Sequence, residues 1–242
     1  AESIVDLPSS NPMDSFDFMS MTQSSSISLY SALQALDAAA NDERIKGIYI
    51  SFKGTGGASN TIIEELRDAI IEFKKSGKWV VAYDESFSQG KYYLCSVADK
   101  VYIQPEGTFE WVGIQAQTLF FKGLLDKLGV KVDILRPTVC KYKSAVEPFF
   151  LDKMSDANRA QMQAMADGMW GVLTEAVSAS RGISVEELNR LADELAISLP
   201  KDALEHKLID GLKYQDEMEQ LFKDEYGIED LNFISLGDYA NG

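Results

Sequence analysis

The sequence has little of what several kinds of catalytic centre need. Its 242 residues hold one histidine, two cysteines and six prolines. A single histidine, His206, rules out a multi-histidine metal site. It also leaves any Ser-His-Asp triad resting on one residue of DALEHKLIDGL, which reads as a short amphipathic helix with its charges outward. Cys95 and Cys140 fit neither a disulfide framework nor a zinc site, and Cys95, in YYLCSVA, reads as a packed thiol. No metal and no cofactor is expected. Positive charge is short as well: 23 Lys and Arg stand against 38 Asp and Glu, for a net charge of −15. The clustered cations that bind nucleic-acid phosphates are therefore missing. No run approaches the roughly 20 apolar residues that span a bilayer. The chain opens on Ala1 rather than Met, as a trimmed piece would, so the expectation is that any signal or anchor lies upstream of it.

What is present reads as a globular α/β protein. With 45% hydrophobic and 25% charged residues, the chain has ordinary globular composition and enough length to bury a core. Residues 1–26, with SSNPMDSF and MTQSSS, suggest a loop or arm. ISLYSALQALDAAAN, Ile27 to Asn41, has helical spacing with Ser28 as N-cap. KGIYISF, Lys46 to Phe52, reads as a strand, followed by GTGGASN and the amphipathic helix TIIEELRDAIIEFKKSGK. The cycle repeats with the strand KWVVAY, Lys78 to Tyr83, the turn DESFSQG and the helix KYYLCSVA. KVYIQP, Lys100 to Pro105, and VKVDILR, Val130 to Arg136, read as further strands, with the helix LFFKGLLDKLG between them. From about Ser155 to Phe222 the pattern is mostly helical, and the tail LNFISLGDY suits an edge strand or a linker. The alternation predicts a largely parallel sheet in one domain over residues 27–236, with a tail at 237–242 and no internal repeat.

In open α/β sheets, ligands collect where strands end and helices begin. GTGGASN offers the backbone N–H groups of Gly56 and Gly57 to an anion or a developing oxyanion. It is neither the dinucleotide G-x-G-x-x-G nor a phosphate loop ending in GK[ST]. DESFSQGKYY places Ser86 and Ser88 ahead of a helix, with Gln89 and Gly90 beside them, and hydroxyls there cap helices far more often than they attack carbonyls. The third segment is CKYKSAVEP, Cys140 to Pro148, with apolar residues on both sides of Lys143. A lysine held in an apolar cleft loses its charge readily, and its neutral amine can act as general base to a serine hydroxyl. Ser144 is a poor partner for it, because adjacent side chains project in different directions.

DESFSQGKYYLCSVADKVYIQPEG and LFFKGLLDKLGVKVDILRPTVCKYKSAVEPFFLDKMS resemble the amino-terminal half of the signal peptide peptidase A (protease IV) family. The likeness runs from about Leu29 to Phe222, and KYKSAVEPF is its most specific part. The resemblance implies a ClpP/crotonase-like spiral of βαβ units that assembles into rings, and a serine nucleophile paired with a lysine base. It implies a peptide substrate (cleaved signal peptides and hydrophobic peptides) and a place at the bacterial inner membrane, on the periplasmic side, through an anchor absent from this chain. It puts the base at Lys143. The family's serine-bearing turn reads roughly Ala-Ser-Gly-Gly-Tyr-Tyr ahead of Ala-Asp-Lys. Counting back from Ala98, Asp99 and Lys100, Tyr92 and Tyr93 match the tyrosines, Gln89 falls at the serine's place, and Ser88 precedes it.

An amide is no nucleophile toward a peptide carbonyl, so the expectation is a lysine-bearing half, inactive alone, whose serine comes from a missing carboxyl-terminal half. Homo-oligomers are expected too. Gly56, Gly57, Ser88, Gln89 and Gly90 become candidate oxyanion or substrate contacts. The alternative is a catalytically inactive ClpP/crotonase-like module for oligomer assembly and substrate binding. An acyl-CoA crotonase is a third reading, and no motif favours it.

Overall fold

Serine starts many of the helices. Ser28, Ser59, Ser88, Ser184 and Ser235 each accept a hydrogen bond on the side-chain oxygen from the backbone N–H three residues on, satisfying a donor that the helix itself leaves unpaired. The computed structural model describes residues 2–6, 16–17, 22–23, 25–52, 59–135, 140–228 and 230–242. In chain order these form β1 (Glu2–Val5), β2 (Phe16–Asp17), β3 (Thr22–Gln23), β4 (Ser25–Ser28), α1 (Leu29–Asn41), β5 (Gly47–Ser51), α2 (Asn60–Lys74), β6 (Trp79–Phe87), α3 (Gln89–Cys95) and β7 (Lys100–Phe109). There follow α4 (Lys122–Leu128), α5 (Glu147–Phe150), α6 (Asp156–Arg181), α7 (Val185–Asp193), α8 (Pro200–Glu205), β8 (Gly211–Leu212), α9 (Gln215–Tyr226) and α10 (Leu236–Asn241). The fold is α/β with a parallel sheet, as the alternation predicts. Two compact units are present: residues 1–112 with 176–242, and residues 113–175.

The first unit is organised by the sheet β5-β6-β7-β8, parallel throughout. Alternation along β6 turns Val81 and Tyr83 to one face, where Tyr102 and the α9 residues Met218, Leu221 and Phe222 bury them. Tyr49, Trp79 and Tyr226 pack against this cluster, with ring centroids of Trp79 and Tyr226 4.8 Å apart. Burial raises the Tyr49 phenol to about 12, so it stays neutral. A second aromatic group, Phe87, Tyr92, Phe109 and Trp111, lies where β6 and β7 end. The register between these strands shifts between Asp84 and Ser86. There Gly107 passes so close to β6 that a Cβ would sit 2.1 Å from the Glu85 carbonyl oxygen, which only glycine permits.

Four sequence expectations change. VKVDILR is not a strand: Val130 to Leu135 has no strand pairing, and Arg136 lies outside the described residues. A strand needs a partner to bond to, and this segment pairs with no described strand, while Leu135 stands 97% exposed. DALEHKLIDGL is only partly helical. α8 ends at Glu205, Lys207 adopts φ 61°, and Gly211–Leu212 pairs with Tyr102 and Ile103 as β8. The tail LNFISLGDY is no edge strand, since Ser235 caps it into α10. Within residues 1–26, β1 pairs in parallel with β4, and the strand state of Ile27 starts α1 at Leu29.

The second unit has little apolar interior among its described residues. α4 and α5 pack together through stacked Phe121 and Phe149, and the Phe121 N–H donates to the Pro148 carbonyl at 2.7 Å. Leu124, Leu128, Tyr142, Met165 and Val172 are all exposed. No helix of the described residues is long and apolar enough to cross a membrane.

Candidate active site

Ser88, Gln89 and Gly90 come together at the start of α3, where β6 delivers the chain past the sheet's carboxyl edge. The Ser88 hydroxyl oxygen accepts from the Lys91 N–H at 3.4 Å, the cap expected of it. The Gln89 side-chain oxygen accepts from the Val112 N–H at 2.8 Å. A Cβ at Gly90 would lie 3.8 Å from Ile63 Cδ1, so that position faces α2. Just upstream, buried Asp84 accepts from the Glu85 N–H at 2.8 Å and pairs with the Lys91 ammonium at 2.5 Å. That ammonium also donates to the Ser86 carbonyl and lies 5.0 Å from the Phe52 ring. The Ser86 hydroxyl bonds that of Thr108 at 2.7 Å.

α3 itself is held firmly. The buried Arg67 guanidinium donates to the Tyr93 carbonyl, to Ser96 Oγ at 2.7 Å, to the Ala176 carbonyl at 2.8 Å and to Ser180 Oγ at 2.6 Å. Tyr92 donates to the Leu208 carbonyl at 2.5 Å, and the Trp111 N–H to the Leu188 carbonyl at 2.9 Å. The turn is therefore a rigid shelf of committed polar groups. Among the described residues no side-chain base bonds the Ser88 hydroxyl, so nothing there activates it for attack. Cys95, fully buried, has its thiol pushed far up by burial and is a packed residue as expected. His206 ends α8, with Nδ1 3.8 Å from Glu187 Oε1, and bonds no hydroxyl among the described residues. No group of three or more His, Cys, Asp or Glu able to hold a metal ion occurs among the described residues.

Lys143 lies in the second unit. Its N–H donates to the Cys140 carbonyl at 3.2 Å, and the Glu147 N–H donates to the Ser144 carbonyl at 2.9 Å, so two successive turns carry it. The side chain is exposed, and no bond from its ammonium occurs among the described residues. Among the described residues of this unit no apolar cleft encloses the lysine. Lys141 is exposed as well, its ammonium 5.4 Å from the Tyr142 ring. Gly56 and Gly57 lie outside the described residues.

A model of the family described as Peptidase family S49 matches residues 72–229, a span holding both the α3 turn and the Lys143 loop. The chain belongs to peptidase family S49. Protease 4 of Salmonella typhi is 35% identical over 224 residues, covering 88% of this chain and 36% of that protein. Protease 4 of Haemophilus influenzae is 38% identical over 162 residues, 67% of this chain and 26% of that protein. The chloroplastic serine protease SPPA of Arabidopsis thaliana is 27% identical over 201 residues, 83% of this chain and 29% of that protein. The chain thus spans about a third of the length of these relatives. The S49 membership bears out the resemblance seen in KYKSAVEPF and its flanks.

Sequence reasoning did not single out two features. One is the Asp84–Lys91 pair beneath the α3 turn, which no motif marks. The other is Glu147, inside KYKSAVEPF, which is 2% exposed. A glutamate bounded by Val146 and Pro148–Phe149–Phe150 was the available signal.

Proposed function

We propose that this chain is the lysine-bearing half of a Ser-Lys serine peptidase, with Lys143 as general base and the nucleophilic serine supplied by a second, carboxyl-terminal half. The substrates are cleaved signal peptides and other hydrophobic peptides. The protein acts at the bacterial inner membrane, facing the periplasm, through an anchor outside these residues, and as a homo-oligomer. The observation that carries this reading is a contrast between two segments of the chain. The lysine in the family's motif is exposed and bonds nothing among the described residues, while the turn where a serine would stand holds Gln89, already bonded to Val112. A base with no hydroxyl of its own needs one from elsewhere. The second unit's exposed apolar side chains suit association with further protein, which would also desolvate the lysine.

The experiment compares the full-length protein, its Lys143→Ala variant and the isolated 242 residues on hydrophobic peptides. Turnover by the full-length protein alone is expected. Ser88-dependent cleavage by the isolated chain would show a self-sufficient protease instead. The second reading, an inactive module for assembly and substrate binding, draws on the commitment of both Ser88 and Gln89 to structural bonds. It prevails if Lys143→Ala leaves turnover intact.

A further inference from the structure

Glu147 is a charged residue buried in the motif that holds the proposed base, and the proposed chemistry gives it no task. Its carboxylate accepts from Ser155 Oγ at 2.6 Å, from the Ser155 N–H at 3.2 Å and from the Asn158 side-chain amide at 3.1 Å. Asn158 is itself 6% exposed, and the Ser155 hydroxyl oxygen accepts from the Asn158 N–H at 3.2 Å. These donors belong to the first turn of α6, where free N–H groups and the helix dipole favour negative charge. Burying a carboxylate costs several kcal/mol unless such donors surround it, so the cluster holds together as a unit.

From that anchor the chain runs back to the lysine in few steps. The Glu147 N–H holds the Ser144 carbonyl, and Ser144 adjoins Lys143. On the other side, the Leu151 N–H returns to the Glu147 carbonyl, and Pro148 receives the Phe121 N–H. Glu147 and Pro148 thus fix the lysine loop to α6 and to the start of α4, while the lysine ammonium bonds nothing among the described residues.

We infer that Glu147 is a positioning residue for Lys143, its buried carboxylate fixing the height and direction from which the amine meets the incoming hydroxyl. This rests on the reading of Lys143 as general base. A base displaced by about 1 Å can lose on the order of 10²-fold in rate while substrate binding is little changed. Glu147→Gln can keep all three bonds, its amide oxygen accepting from the Ser155 N–H and the Asn158 amide while its N–H₂ donates to Ser155 Oγ. Glu147→Ala removes them all.

The test uses the full-length protein and a hydrophobic peptide, reading kcat and KM separately. Glu147→Ala should lower kcat by roughly 10- to 10²-fold with KM held within about threefold, and the conservative Glu147→Gln should escape a large part of that loss. Ser155→Ala, which removes the hydroxyl's bonds to Glu147 and to the Asn158 N–H, should lower kcat by a smaller factor, and it decides the matter should Glu147→Ala fail to fold. Full kcat in Glu147→Ala, or in Ser155→Ala should Glu147→Ala not fold, with Lys143→Ala inactive, overturns the positioning role and leaves the base assignment standing. Turnover by Lys143→Ala overturns the base assignment and the role together. A loss in Glu147→Ala that Glu147→Gln shares in full, or that appears in KM alone, also overturns it.

Discussion

Around Ser88 and Gln89 the polar groups are engaged inside the fold. Ser88 caps α3, Gln89 takes the Val112 N–H, and Arg67, with four acceptors, ties α3 to α2 and to the end of α6. Around Lys143 the backbone is fixed by turns and by Glu147, yet the lysine side chain is exposed and its ammonium bonds nothing among the described residues. The first region rests on a deep aromatic and aliphatic core, and the second has almost no apolar interior of its own. The contrast teaches how differently one chain can treat its polar groups. A turn whose groups are all bonded inside a packed unit serves as support, whereas a loop fixed only through its backbone leaves a side chain open to solvent.

The sharpest way to break this contrast is Lys143→Ala in the full-length protein. Peptide hydrolysis should fall by about 10²- to 10⁴-fold, the usual contribution of general-base catalysis, while the unfolding midpoint stays put because the side chain is exposed. A large drop in stability would mean that the loop, and not the amine, is what the residue serves.

The two cores can be set against each other by truncation. Phe222→Ala, deep in the first unit, should cost about 3–5 kcal/mol in urea unfolding. Leu128→Ala, 67% exposed in the second, should stay within about 0.5 kcal/mol for the isolated chain. An equal cost at Leu128 would show that this surface is covered in solution, and light scattering would then report an oligomer.

Two smaller changes probe the shelf. Tyr92→Phe strands the buried Leu208 carbonyl and should cost about 1–3 kcal/mol. Gln89→Ala releases the Val112 N–H at the surface, so its loss should be nearer 0.5–1.5 kcal/mol by the same denaturation series. Should the two costs reverse in order, the rigidity of the turn resides in Gln89 rather than in the packing beneath α3.

The smallest expected effect is a pH dependence in the first unit. The N–H groups of Leu199 and then Ser198 hold the Asp202 carboxyl below the usual carboxylate range, at the start of α8. Because the folded value is the lower one, this stabilisation is complete above the unfolded value of about 4 and is lost as pH falls through the folded one. Asp202→Asn should therefore flatten part of the fall in unfolding midpoint between neutral and acid pH. An unchanged acid profile would assign that sensitivity to other carboxylates.

Much of the site was legible in residues close together in the chain. Ser88 as a cap, α3 after the DESFSQG turn, and Lys143 within KYKSAVEPF all depend on spacings of a few residues, because a helix cap closes over three positions and a motif is contiguous. Gln89 in the serine's place was likewise visible, though its bond to Val112, 23 residues on, was not.

By itself the sequence determined the α/β alternation, the serine-capped helices and the position of the proposed base, since hydrophobic period and capping are local properties of the chain. Only the tertiary structure decided which apolar runs became strands. VKVDILR, with the better pattern, pairs with no described strand. Gly211–Leu212, with hardly any pattern, becomes β8 because Tyr102 and Ile103 lie beside it and Asp210 receives the Val101 N–H. Only the tertiary structure, too, buried Glu147 against Ser155 and Asn158 and left Lys143 in the open. Strand pairing and burial depend on which distant residues arrive alongside, and no local pattern carries that information.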